Sequence, residues 1–285
     1  MSFGPKPWQQ TSWDWRAAGN FIGGGAGTGL VMFTAVSGVQ GTVAAVLLLA
    51  GLALVGLGLT CVWAELGRPL RALHVFFNPR TSWMTRESIA ATALFPVGAA
   101  AAAGAYFGMQ HLAWIPAAVA LAFIYCQSRM LRGARGIVAW REPRVVALLL
   151  ATSLAEGAGL FWLAQPWHGR GSAWLAVLFG ALLLMRAGVW IAYRQRLTGK
   201  AAPRALRALD RASRVLLIGG TVLPLALVAL AFGTGTAPAA LTALAGLFGA
   251  LAGSYLKFVL VTRAGYNQGF ALRELPVRGA RPFGA

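Results

Sequence analysis

Eight apolar segments, each about as long as a bilayer is thick, constrain this chain more than any other feature. A helix needs roughly 20 apolar residues to cross the hydrocarbon layer. Stretches of that length fall near 17–39, 42–64, 88–108, 111–131, 144–164, 171–195, 213–232 and 238–262. Backbone N–H and C=O groups find no water inside a membrane, so such segments must close their hydrogen bonds internally as helices. The pattern predicts an all-α integral membrane protein with eight transmembrane helices. Composition agrees: 58% of the 285 residues are hydrophobic and only 11% are charged, against roughly 25% charged in soluble domains. A soluble globular enzyme, a disordered chain and a secreted disulfide scaffold are excluded. The first span is too long and too glycine-rich for a cleaved signal peptide and is expected to stay in the mature chain.

The net charge is +18, from 25 Lys+Arg against 7 Asp+Glu. These cations lie between the apolar spans, which points to topology and lipid headgroups rather than nucleic acid. The connections after spans one, three, five and seven are short, and Arg170 is their only Lys or Arg. Those after spans two, four and six hold Arg68, Arg71, Arg80 and Arg86; then Arg132, Arg135 and Arg141; then Arg196, Lys200, Arg204, Arg207 and Arg211. The positive-inside rule places these loops and both termini in the cytoplasm of a multi-pass bacterial inner-membrane protein. The loops divide the chain into a first four-helix bundle over 1–131, a cytoplasmic loop over 132–143, a second four-helix bundle over 144–262 and a cytoplasmic tail over 263–285.

Much redox chemistry is missing. Cys61 and Cys126 are too few for an iron–sulfur cluster, which takes about four ligands. His74, His111 and His168 do not face one another mid-span, so no haem is expected, and no residue set suits a metal. The run GGGAGTG, Gly23 to Gly29, lacks the Lys-Ser/Thr of a phosphate loop. Its small residues suit close helix packing, and they also leave room for a flat ligand.

The polar groups that remain cluster at the cytoplasmic ends of the first-half spans. Asn20 lies a turn into span one, Glu65 closes span two, and Tyr125 lies ~9 Å inside the inner end of span four at 1.5 Å per residue. The loop ELGRPLRALHVFFNPRTSWMTRES adds His74, Asn78, Arg80, Trp83 and Arg86. A quinone could use this set. Asn20 and Tyr125 would donate to its carbonyls, Gly23 and Gly24 would leave a slot, Trp83 or Phe76 would wall it, and Glu65 with His74 would relay protons. Each member also has a plainer reading: Asn20 as a helix-packing amide, Glu65 and Arg68 as a surface ion pair, Tyr125 and Trp83 as interfacial aromatics, His74 as a solvated loop residue. In the second half Glu156 and Arg186 sit deep in apolar sequence, ~18 Å and ~13 Å from the inner ends, and are expected to form a structural ion pair. Lys257, near the inner end of span eight, is expected to snorkel.

The segment ELGRPLRALHVFFNPRTSWMTRE and the opening TSWDWRAAGNF-x-GGGAG, together with eight spans, resemble the NrfD/DmsC-type membrane anchor subunits of iron–sulfur molybdoenzymes. The resemblance covers essentially the whole chain. It implies a quinone site in the first bundle, for ubiquinone or menaquinone, with no haem and no iron–sulfur cluster in this chain. It also implies two partners, a ferredoxin-like iron–sulfur subunit and a molybdenum or tungsten bis-pterin catalytic subunit. Related polysulfide-reductase-type subunits hold quinone with an Asn and a His on the first helix, an acidic residue before the RP element and a Tyr on the fourth helix. Asn20, Glu65 and Tyr125 match these in kind. Gly24 stands where the first-helix His is expected, so His74 or Arg71 would have to substitute. The partner is expected to dock over loop 65–87, with Arg68, Asn78, Arg80 and Arg86, and on the N-terminal segment around Trp13. The competing function is secondary transport with Glu156 and Arg186 as the coupling site; a third is lipid transfer.

Overall fold

In a computed structural model, residues 4, 6–64, 69–233 and 238–269 are described, and they are almost wholly helical. Eight long helices follow one another: α1 (Trp15–Ser37), α2 (Gly41–Trp63), α3 (Trp83–Tyr106), α4 (Trp114–Gly133), α5 (Arg144–Leu163), α6 (Ala173–Leu197), α7 (Pro203–Gly233) and α8 (Ala239–Arg263). Seven of them, α2 to α8, are long and apolar enough to cross a membrane, which makes the chain a multi-pass α-helical membrane protein. The helix α1 is 23 residues long, and 16 of those are buried inside the protein. Its glycines, threonines and Asn20 face other helices, so its surroundings do not demand the apolar composition that lipid would.

Local chemistry sets the ends of these helices. Asp14 caps α1 by accepting from the Arg16 backbone N–H at 2.8 Å. The same carboxylate pairs with the Arg16 guanidinium at 2.9 Å, which holds the Asp14 carboxyl below the usual range. Gly38, with φ of 67°, ends the helix in the left-handed conformation that glycine adopts without penalty. Ser82 caps α3 by accepting from the Thr85 N–H at 3.2 Å, so this helix begins five residues earlier than the hydropathy alone suggests.

The first-half helices α1 to α4 pack together, as do α5, α6, α7 and α8, but α1 also runs along α5. Gly29 and Gly157 let the α1 and α5 backbones touch: a Cβ added at Gly29 would strike the Ser153 carbonyl, and one at Gly157 would strike Gly29 itself. Thus the glycine run Gly23 to Gly29 is spent on helix contact. Gly23 abuts the backbone of α2 at Leu54 and Gly58, and Gly27 abuts α2 at Gly51 and Val55.

The segment before α1, around Gln9 and Gln10, lies against the segment after α8, around Gly265 and Tyr266. Isolated bridges join Gln9 to Tyr266 and Ile137 to Asn267, Gln10 N–H donates to the Gly265 carbonyl at 2.8 Å, and the Trp140 indole N–H donates to the Leu260 carbonyl at 2.8 Å. This knot sits at the end of the bundle where α1 begins and α8 finishes.

Candidate functional site

At that same end an apolar cavity of about 420 Å³ opens between the first turns of α1, the last turns of α2 and the start of α3. Trp13, Phe21, Leu59, Val62, Trp63, Ala72, Val75, Met84 and Met130 give it an apolar wall, and Asn20, Glu87 and Ser88 are its polar lining. That volume lies within the roughly 300–1,000 Å³ usual for small-molecule sites.

Behind the cavity lies a buried polar triad. Glu87 Oε1 accepts from Gln127 Nε2 at 3.0 Å and from Asn20 Nδ2 at 3.3 Å. The same Gln127 amide also donates to the Asn20 backbone carbonyl at 3.1 Å. All three residues are buried, Gln127 completely. None of the three ion pairs among the described residues includes Glu87, so its partners are amides rather than a cation. Asn20 Oδ1 and Gln127 Oε1 are buried without a hydrogen-bond partner. A buried acceptor left unpaired costs about 1–3 kcal/mol, and Asn20, which borders the cavity, holds one such unused acceptor.

Of the residues expected in a quinone site, Asn20 borders the cavity. Gly23 and Gly24 are not at the slot: the space beside Gly23 is filled by α2 backbone, and that beside Gly24 by Gln127 and Phe123. Tyr125 and Trp83 are placed elsewhere. Arg129 donates to the Tyr125 hydroxyl at 2.8 Å, and Trp83 lies between the Arg86 and Arg129 guanidiniums, 4.2 and 4.4 Å from its ring centroid. His74 is exposed, edge-on to Phe77 at 5.4 Å. Glu65 and Arg68 lie outside the described residues, as does the side chain of Arg71.

The expected docking residues divide. Asn78 and Arg80 are exposed. Arg86 turns inward along its own loop, donating to the Pro79 and Arg80 carbonyls at 2.9 and 2.8 Å, and so fixes the turn before α3. Trp13 stacks on Trp140, in the loop between the two halves, at 4.9 Å and lines the cavity, so it is packed within the protein instead of standing clear for a partner.

Sequence reasoning passed over Glu87 and Gln127. Glu87 was readable as one of only seven acids, but it stood in a polar stretch taken as loop. The Ser82 cap puts it one turn inside α3.

The Glu156–Arg186 pair is corrected. Glu156 Oε2 pairs with Lys257 Nζ at 2.5 Å, and Lys257 also donates to Ser153 Oγ at 3.1 Å. Lys257 therefore does not snorkel; it is wholly buried. Arg186 instead donates to the Gly249 carbonyl at 2.7 Å and the Gly220 carbonyl at 2.5 Å. The Gly220 carbonyl is open because the residue four positions on, Pro224, has no N–H to give it. The α7 backbone is π-helical over Val215–Val222, just before that proline.

Fold and site together define a multi-pass α-helical membrane protein in which an apolar cavity ends on a buried carboxylate and an amide with a spare acceptor. Neither protein-family models nor curated proteins match the chain.

Proposed function

We propose that this protein is the membrane anchor and quinone-reactive subunit of a bacterial inner-membrane oxidoreductase, exchanging electrons between a ferredoxin-like iron–sulfur subunit and the quinone pool. The observation that carries this reading is the cavity bordered by Asn20 and Glu87. A quinone needs an apolar slot, a polar partner for its oxygens and a protonatable group nearby, and the apolar cavity with Asn20 and Glu87 on its lining supports that reading. The resemblance of its ELGRPLRALHVFFNPRTSWMTRE segment to NrfD/DmsC-type anchors supports the same substrate. Among such anchors the segment resembles the membrane subunits of phenylacetyl-CoA:acceptor oxidoreductases, whose catalytic partner carries a molybdenum or tungsten bis-pterin.

When bound, the quinone supplies two-electron, two-proton redox chemistry. Asn20 orients it: its side-chain amide offers Nδ2 to a carbonyl oxygen and Oδ1 to a hydroxyl. Glu87 holds and passes a proton at its carboxyl group, and Gln127 keeps that group aimed by donating to Oε1. Trp13, Phe21 and Trp63 exclude water from the ring. Glu65 and His74 remain the proposed route from this end to water.

The proposed topology has eight crossings with both termini cytoplasmic. An even number is supported by the bridge between Gln9, before α1, and Tyr266, after α8, and the side by the arginines of the long loops. The cavity then lies on the face where the iron–sulfur partner docks, over loop 65–87.

The test is quinone titration of the purified chain in quinone-free nanodiscs, followed by quenching of Trp13 and Trp63 fluorescence. Saturable quenching is expected, weakened at least tenfold in both Asn20→Ala and Glu87→Gln. Quenching that is linear, or equal in wild type and both variants, rejects the site.

A further inference from the structure

We propose a second binding site on this protein: a groove at the start of α7 that holds the phosphate of an anionic phospholipid headgroup. Arg204, Arg207 and Arg211 line a groove of about 450 Å³ together with Arg263, Gln9 and Tyr266. Three of these arginines recur at i, i+3 and i+7, which puts them on one face of a helix. The opposite face is buried through Ala205, Leu209 and Ala212, so the helix cannot roll to disperse its charges.

Four guanidiniums around one groove repel each other unless an anion lies between them. Among the described residues the side chains of Arg204, Arg207 and Arg211 make no ion pair or hydrogen bond, and the Arg263 guanidinium lies 5.7 Å from the Phe258 ring without an acidic partner. The one acid on this helix, Asp210, is already taken: Arg194 holds both its oxygens at 2.7 and 3.0 Å. The guanidinium fork suits phosphate oxygens, which it binds bidentately. The Tyr266 hydroxyl is anchored by donating to Gln9 Oε1 at 3.2 Å, and Gln9 donates to the Thr262 carbonyl at 2.6 Å. The rim of the groove is therefore held in place.

The position favours a lipid over a soluble anion. The same helix continues from Arg214 straight into the apolar run VLLIGGTVLPLALVALAF, and Arg263 is the last residue of α8. The arginines thus stand where two spans leave the apolar layer, at the depth of the headgroup phosphates. A lipid bound there places its phosphate in the groove and its chains along Ile218 and Val222, which are exposed on α7.

The experiment is native mass spectrometry of the full chain in detergent, titrated with phosphatidylglycerol, with phosphatidylcholine and with inorganic phosphate. Phosphatidylglycerol is expected to bind at least tenfold more tightly than either of the others. The triple variant R204Q/R207Q/R211Q should lose that preference, while R132Q/R135Q, altered in another basic loop, should keep it. Circular dichroism and the melting curve establish that the triple variant is folded. Its substitutions lie on the exposed face, and R204K/R207K/R211K, which retains charge, is expected to bind within threefold of wild type. The proposal is overturned if phosphatidylcholine binds equally well, if inorganic phosphate competes at the same concentration as the lipid, or if the folded triple variant retains the preference.

Discussion

Each half of the protein buries acidic chemistry among helices, and the two halves treat it in opposite ways. In the second half Glu156 is matched by a cation, Lys257, and the pair is braced by Ser153 and Ser254. Glycines shape the space around it: a Cβ at Gly25 would strike Lys257 Nζ, and one at Gly253 would meet the Glu156 side chain at 2.8 Å. Arg186 is saturated separately by backbone carbonyls. In the first half Glu87 has two amides for company and borders an open cavity. A charge matched and enclosed is a structural element, because removing its proton or partner breaks the packing. A carboxyl held by neutral amides beside a cavity is free to change its proton and its neighbour. Under the proposed function, the comparison gives Glu156 a structural part and Glu87 the chemical one.

The largest effect that can break this contrast is expected at Lys257. Lys257→Met leaves Glu156 buried without its cation, which typically costs 3–5 kcal/mol. The melting temperature of the purified chain should fall steeply. Adding Glu156→Leu should recover most of the loss, because two apolar groups need no mutual compensation. A double variant as unstable as the single one would mean that the pair itself, and not the orphaned charge, carries the stability.

Next in size is Gly29→Val. The α1 and α5 backbones meet there, so an added side chain must push them apart. Overpacking of this kind costs about 1–3 kcal/mol, and it should also disturb the nearby Lys257 cluster. A melt unchanged by this substitution would show that the two halves are less tightly joined than their backbone contact indicates.

Glu87→Gln should give the reverse signature. Gln keeps the size of the side chain and an oxygen to accept from Asn20 and Gln127, so stability should move by less than about 1 kcal/mol. Quinone affinity should still fall about tenfold, or 1.4 kcal/mol. A large loss of stability with unchanged binding would reverse the assignment of the two carboxylates.

Most helices were legible in sequence to within a few residues, because hydropathy reports contact with lipid and the helix length follows from the bilayer; α7 instead begins at Pro203, ten residues before the expected 213, so Arg204, Arg207 and Arg211 lie on a helix and not in a loop. The exceptions are instructive. The α3 start was placed at 88 instead of Trp83, since WMTRE reads as polar loop until the Ser82 cap is seen. That shift hid Glu87, although the lone amide Asn20 in an apolar span was conspicuous. Lys257 lies ~9 Å from the end of α8 at 1.5 Å per residue, close to where the span 238–262 puts it; it stays inside because its amine pairs with Glu156 and Ser153 instead of reaching the interface. The partner of Glu156 depended on helix rotation, which depth along a span does not report. Glycines show the same limit: their spacing marked a helix contact, but not which of α2, α4 or α5 filled each gap.

The smallest predicted effect lies at the far end of the second half and tests whether its groups are locked in one protonation state. His168, in the connection after α5, accepts at Nδ1 from the Arg170 backbone N–H at 2.9 Å, and its Nε2 lies 3.0 Å from the Phe161 carbonyl. That geometry fits the neutral ring with its proton on Nε2, since a protonated Nδ1 could not accept from Arg170. Burial pushes the pKa of His168 below the usual histidine value. The unfolded chain then binds this proton more readily than the folded one, so stability is full above about pH 6.5 and declines as pH falls below it. The melting temperature should drop between pH 7 and pH 5 by less than the 2–4 °C that about 1 kcal/mol gives in a chain of this size. His168→Gln, which cannot titrate, should remove that part of the slope. A slope unchanged by the substitution would move the acid sensitivity to another group, and a slope that changes sign only when His168 is wild type would mean that His168 is held in its charged form.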